Sequence, residues 1–291
     1  MGEFFSVACA AVWALAVVLF KRSGETLPAF ELNLFKNVVG VALLVPTAWL
    51  IEGAVAPAFS LTEWGVVLLS GVIGIAVADT WYLRALNLIG AGRTGIVASL
   101  YSPFVVALSM VFLGERLGAW QLVGFMLVLT GILVVTWRRE QSDVSTPSLG
   151  LGILFGVGSV AMMAVGIVMV KPILEGGHFF ATAALRLIAG VFAMGVFLSA
   201  TGGWRQAAAR FRDPQPWSTI VVASVLASYV SMLLWLAGYR LAPASVASVL
   251  NETAAAFIVL FAWLLLGERI DARRVTGVVL TFSGVCAIVA L

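Results

Sequence analysis

Residues 94–116 read TGIVASLYSPFVVALSMVFLGER, and residues 247–269 read ASVLNETAAAFIVLFAWLLLGER. Each holds about 20 mostly apolar residues, the length that crosses a bilayer as a helix. Both end in Leu-Gly-Glu-Arg, with Gly114-Glu115-Arg116 matched by Gly267-Glu268-Arg269 at a separation of 153 residues. One such run marks a membrane span, and two in the same register mark a duplication.

The matches continue outward from these runs. Trp64 pairs with Trp217, Gly124 with Gly277 and Gly131 with Gly284 at the same separation. Nearer the N-terminus the separation becomes 150, pairing Lys21 with Lys171, Glu25 with Glu175, Lys36 with Arg186 and Gly40 with Gly190. The shift of three falls in the loop between the second and third apolar segments of each half. The chain therefore divides into a first repeat, 1–144, and a second, 145–291, with the polar segment 138–148 as the linker.

Composition agrees with a membrane setting. The 291 residues are 62% hydrophobic and only 11% charged, whereas a soluble domain carries about 25% charged residues. Ten segments are long and apolar enough to span: 4–20, 32–51, 64–83, 94–113, 119–137, 149–170, 180–200, 217–236, 245–266 and 275–291. They are unbroken apolar runs rather than the ~10-residue alternating segments of a barrel. The expected fold is an all-α integral membrane protein with ten transmembrane helices arranged as two five-helix repeats. Five is odd, so the second repeat is inverted relative to the first, about a pseudo-two-fold axis in the membrane plane. The first segment reads as a retained span, because Glu3 and no cation precede it and Lys21-Arg22 follow it.

Loop charges orient the bundle. Odd-numbered loops carry Lys21, Arg22, Arg84, Arg93, Arg138, Arg139, Arg205, Arg210, Arg212, Arg269, Arg273 and Arg274, and even-numbered loops only Arg116, Lys171 and Arg240. By the positive-inside rule the odd loops are cytoplasmic and both termini periplasmic in a bacterial inner membrane. The same rule accounts for the pI near 9.1, and no basic stripe suits nucleic acid. Cys9 and Cys286 lie within apolar runs and read as free thiols.

Enzyme chemistry finds little purchase. There is one histidine, His178, no Cys/His set with zinc spacing and no phosphate-binding Gly-rich loop ending in Lys-Ser or Lys-Thr. No enzyme activity and no cofactor are expected. An inverted repeat instead fits alternating access, with the substrate near midplane between the halves.

Ser102-Pro103 in the fourth segment, the two Leu-Gly-Glu-Arg endings and the 5+5 repeat resemble the drug/metabolite transporter superfamily, in particular its EamA-type members. The resemblance covers the whole chain. It implies a ten-helix transporter whose cavity is lined by spans one, three, four and eight, and within the family it points to bacterial exporters of amino acids, including the aromatic group. Thr253-Ala254-Ala255-Ala256 departs from the Glu-Pro pair that many members carry there.

Ionisable groups within spans cost about 2.5–3.5 kcal/mol each and mark function by default. Lys36 shares a helix face with Asn33, Asn37 and Gly40 and is the favoured carboxylate receptor, ahead of its repeat mate Arg186, which sits in sequence among Ala, Leu and Ile. Snorkelling to the interface is the competing reading for both cations. Asp79 and Glu252 are the acids placed to meet an amine or a coupling proton, with an Asp79–Arg84 surface contact and a helix-dipole role as the alternatives. Trp13 and its mate Met163, Tyr82 and its mate Trp235, and Tyr101 form an aromatic and thioether set for an apolar substrate. Ser99 and Asn251 add polar contacts, and Pro103 is the expected flexing point. Trp49, Trp64, Trp120, Trp137, Trp204 and Trp217 fall at span ends, as interfacial belts do.

The function expected is export of small amphipathic metabolites, amino acids with aromatic or bulky apolar side chains foremost, by a monomer whose partners are the small-molecule substrate and the lipid bilayer. The alternative is an exporter of cationic or hydrophobic drugs, which calls for an acid at the cavity centre and is opposed by Lys36. A membrane-embedded enzyme or lipid scramblase lacks a visible reactive constellation or polar groove. The orientation is testable directly: a reporter active only in the periplasm should give signal when fused at Met1 or Leu291, and signal from a cytoplasm-only reporter at either end would invert the topology.

Overall fold

Our computed structural model describes residues 1–22, 27–53, 57–136, 146–267 and 272–289. The boundary between the repeats at 144, and Glu25, Trp137, Arg138, Arg139, Glu268, Arg269 and Leu291, lie outside them. The described chain is helical throughout: α1 (Gly2–Arg22), α2 (Ala29–Glu52), α3 (Leu61–Gly71), α4 (Ala78–Ala98), α5 (Tyr101–Phe112), α6 (Ala119–Thr136), α7 (Thr146–Gly176), α8 (Phe179–Thr201), α9 (Trp204–Arg212), α10 (Trp217–Val225), α11 (Ser231–Leu241), α12 (Ala244–Asn251), α13 (Ala254–Leu266) and α14 (Ala272–Val289). Wider π-helical turns, Val72–Val77 and Leu226–Val230, join α3 to α4 and α10 to α11. Among the described residues, eight helices are long and apolar enough to cross a membrane, and Ile96–Phe112 and Ala119–Val134 are shorter apolar helices. The protein is a multi-pass membrane protein.

The outside and inside are exchanged relative to a soluble protein. Phe112, Val111, Phe192 and Leu154 are exposed, while the interior is rich in Ala and Ser. Lipid tails are as apolar as leucine, so helices associate by close packing of small residues. Trp49, Trp120 and Trp204 are exposed near helix ends, as an interfacial belt requires. Cys9 and Cys286 are free thiols.

Glycines set the closest approaches. A Cβ added at Gly124 would stand 2.7 Å from the Gly284 carbonyl, and one added at Gly284 would stand 2.6 Å from the Gly124 carbonyl. Seven residues further along α6, Gly131 meets the Gly277 carbonyl at 2.7 Å. Contacts that advance along α6 while retreating along α14 make these helices antiparallel. Gly40 of α2 likewise faces Ser228, and Gly190 of α8 faces Ile75.

The two halves interleave. α1 packs against α10 to α13, and α7 packs against α3 to α5. α4 is helical from end to end, yet its Ala85 and Val97 both abut Gly156 of α7. Twelve residues of straight helix would separate them by about 18 Å. The run therefore folds back on itself, and Gly90 and Gly92 fall between the two contacts. α11 extends to Leu241, five residues beyond the predicted end at 236, and carries Tyr239 inward.

The fourth and ninth apolar segments are each broken in mid-course. α5 starts after a turn at Ser99–Leu100, and α13 after a turn at Glu252–Thr253, 153 residues later. Pro103 sits in the first turn of α5, where no intrahelical amide is required of it, and Phe104 there donates to the Leu100 carbonyl at 3.0 Å. Phe257 donates to Thr253 in the same way at 3.1 Å without a proline. The break therefore does not depend on proline.

Replacing Gly284 by Leu should cost at least about 1–3 kcal/mol by overpacking. We expect a lowered melting temperature or loss of the monodisperse species. Gly150→Leu, where an added Cβ meets nothing within 4 Å, should leave both unchanged.

Candidate substrate site

The polar side chains of the interior fall into two clusters joined by tyrosines. In the first, Asp79 of α4 meets Lys36 of α2 at 3.6 Å. Asn33 also hydrogen-bonds Asp79. Lys36 Nζ donates to Asn37 Oδ1 at 3.3 Å, and Asn37 Nδ2 to Asn33 Oδ1 at 3.1 Å. The shared helix face read from the sequence is thus a working network, and its cation is neutralised internally. Asp79 does not pair with Arg84, whose guanidinium lies 5.7 Å over the Phe155 ring. The Lys36 and Asp79 side chains keep 16% and 25% exposure, so accessible space reaches this depth.

The second cluster is built around the turns that break the two spans. The Glu252 carboxylate faces the backbone amide of Ser102, in the first turn of α5. Amides at a helix start have no intrahelical acceptor, and the helix dipole adds to their pull on an anion. Tyr82, Tyr101 and Tyr239 all lie within electrostatic range of Glu252, and Tyr82 also of Asp79. Tyr101 Oη and Tyr239 Oη share a hydrogen bond of 2.7 Å. Trp235 packs edge-on against Tyr239, ring centroids 5.2 Å apart.

Arg186 closes this cluster. It is 2% exposed, on the span whose apolar window is the most buried of the eight at 61%. Its guanidinium lies 5.5 Å over the Trp235 ring, and Nε and Nη1 have no hydrogen-bond partner. The titratable groups facing it are the phenols of Tyr101 and Tyr239. No ion pair to it occurs among the described residues. An uncompensated buried charge costs several kcal/mol. Along the chain the neighbours of Arg186 are Ala, Leu and Ile, while in space they are aromatic rings. Sequence reading missed Tyr239 altogether, because it lay past the predicted end of its span.

The remaining predicted residues are placed less centrally. Ser99 Oγ donates to the Ile96 carbonyl at 2.7 Å and Asn251 Nδ2 to Ala247 at 2.9 Å, each within its own helix. Asn251 Oδ1 is buried without a partner. Trp13 is 37% exposed and Met163 is partly buried. A separate open groove of about 430 Å³ is lined by Leu34, Phe35, Val191, Trp204 and Phe211, with no charged side chain.

At the even-loop end of the bundle, carboxylates hold helix starts across the loops. Glu115 accepts from the amides of Ala244 and Ser245 at 2.7 and 2.9 Å. Glu52 accepts from those of Phe180 and Ala181, both at 2.9 Å. Lys171 Nζ donates to the carbonyls of Tyr239 and Ala242 at 2.7 and 3.0 Å. At the odd-loop end, Arg273 Nε donates to the Val134 carbonyl at 2.8 Å, and Trp204 Nε1 to Ser199 Oγ at 2.9 Å.

Comparison with known proteins places this geometry. A crystal structure superposes with a TM-score of 0.80 over 99% of this chain and 96% of that one at 17% identity, which is a likeness of fold. The uncharacterized transporter YetK of Bacillus subtilis is 21% identical over 98% of this chain and 86% of its own length. The pseudopaline exporter CntI of Pseudomonas aeruginosa is 26% identical over 54% of this chain and 53% of its own. The EamA-like transporter family model matches residues 1–137 and 150–290, nearly the whole bundle that holds both clusters, and the chain belongs to that family.

Proposed function

We propose that the protein is a secondary transporter that exports small amphipathic metabolites, amino acids with aromatic or bulky apolar side chains first among them, by alternating access. The observation that carries this reading is the interior belt from Lys36 and Asp79 through Tyr82, Glu252 and Tyr101 to Trp235 and Arg186. Aromatic faces take an apolar side chain, and separate anionic and cationic groups take a zwitterion.

The architecture proposed for it is ten spans in two inverted repeats, 1–144 and 145–291. Several observations support that layout. Eight long and two short apolar helices make ten segments. Broken spans and π-helical turns recur about 153 residues apart. The contact of Gly124 with Gly284 exchanges into that of Gly277 with Gly131 when each residue is swapped for its mate, as a two-fold relation demands. With odd loops in the cytoplasm of a bacterial inner membrane, the tied end faces outward and both termini are periplasmic. Exposed Lys36 and Asp79 then sit toward the cytoplasm, where an export substrate enters. Glu252 is the proton or amine site, and Pro103 marks the flexing level. Likeness to an exporter, CntI, favours the outward direction. The cationic-drug reading is opposed by the unpaired Arg186. The protein acts as a monomer in the lipid bilayer, with no cofactor.

Reconstituted protein should take up radiolabelled phenylalanine, tryptophan or leucine by counterflow, and Glu252→Gln should lower the rate by about tenfold or more, the size of a lost charge-assisted contact. Flux of organic cations without amino acids would replace this reading by the drug-export one. Flux that ignores an imposed pH gradient would make the transporter a facilitated exchanger.

A further inference from the structure

The two halves differ in how they treat their buried cations. In the first half Lys36 is answered by Asp79. Shifting both positions to the second half gives Arg186 for Lys36, 150 residues on, and Met232 for Asp79, 153 residues on. A thioether stands where the first half has a carboxylate, so the second half holds a cation and lacks its counter-ion.

The groups around Arg186 suit a planar anion. Nε and Nη1 are both unpartnered, so each edge of the guanidinium, Nε/Nη2 and Nη1/Nη2, offers at least one free donor. Gly74 stands beside Nη2, where an added Cβ would lie 3.7 Å away, leaving open the ground a larger residue would fill. Trp235 covers one face of the guanidinium. The Tyr101 and Tyr239 phenols stand nearby as neutral donors. A carboxylate on a guanidinium edge makes paired, charge-assisted hydrogen bonds.

We infer that Arg186 is the receptor for the carboxylate of the exported molecule, which supplies the counter-ion that Met232 does not. This deepens the amino-acid reading above and rests on it for the location of the site. It assigns the substrate a free carboxylate, so that compounds sharing its apolar part but lacking the anion are refused. Lys36, with its own acid, takes no substrate anion.

The test uses three probes on one skeleton: L-phenylalanine, 3-phenylpropionate with only the carboxylate, and phenethylamine with only the amine. Binding to the purified full chain is measured by calorimetric titration. Phenylalanine and 3-phenylpropionate should bind and phenethylamine should not. Arg186→Gln should weaken both by about 10- to 100-fold, the range for a lost hydrogen bond to a charged group, and Arg186→Lys should recover part of that. Met232→Glu puts a carboxylate at the position matching Asp79, and on the pairing seen in the first half it should answer Arg186 and abolish carboxylate binding while keeping or raising the melting temperature. It serves where Arg186→Gln does not fold. Phenethylamine binding as tightly as 3-phenylpropionate, carboxylate affinity unmoved by Met232→Glu, or no binding of either carboxylate would overturn the assignment. Binding of 3-phenylpropionate through Arg186 without binding or flux of any amino acid would uphold it and sink the amino-acid reading.

Discussion

Helices in lipid gain nothing by hiding leucine from leucine, so this bundle depends on backbones coming close enough for dispersion and polar contacts to act. Glycine supplies that closeness. Gly124 and Gly284 let α6 and α14 meet at their carbonyls, and Gly71 does the same against the Arg186 backbone. The last contact carries more than packing. By seating α8 against the π-helical turn after Gly71, it fixes the depth at which Arg186 projects, and Gly74 beside it leaves the guanidinium room. The extra residue accommodated by a π-helical turn shifts the helix face that follows, and Asp79, Thr80 and Tyr82 all lie just beyond that turn.

A duplicated scaffold begins with two copies of every feature, and its function lies where the copies have diverged. Ser99 in one broken span corresponds to Glu252 in the other, and Asp79 to Met232. The first half neutralises its cation and keeps a hydroxyl at its break. The second half leaves its cation bare and puts an acid at its break. The side chains at these matched positions differ in charge. In a medium of low dielectric constant that difference is large, because each unpaired charge acts over a longer range than it would in water.

Much of this was legible in the sequence. Hydropathy gave the helical membrane class, and the two segments that end in Leu-Gly-Glu-Arg are the two that break at positions 153 residues apart. Tyr82, Tyr101, Trp235 and Glu252 were chosen for being polar or aromatic at mid-depth, and they do come together. What local reading does not give is a residue's neighbours in space. Arg186 looked solitary among Ala and Leu because a helix turns its successive side chains to different partners. Lys36 looked available because Asp79, 43 residues away, cannot be paired with it by local spacing. Tyr239 was lost to a boundary error of five residues, the kind to which span ends are prone. Pro103 drew attention as a helix breaker, although the same break occurs at Thr253 with alanine in its place.

The carboxylates of Glu115 and Glu52 hold backbone amides at the starts of α12 and α8. Those amides need a partner, but they sit at a membrane face where water can take over the role. Releasing each such hydrogen bond to a carboxylate therefore costs about 1.5–3 kcal/mol net rather than the larger penalty of leaving it unmet in the lipid core. A closure built this way resembles a latch more than a weld. It yields without unwinding any helix, and its loosening lies within reach of the thermal fluctuations that move domains on microsecond to millisecond timescales.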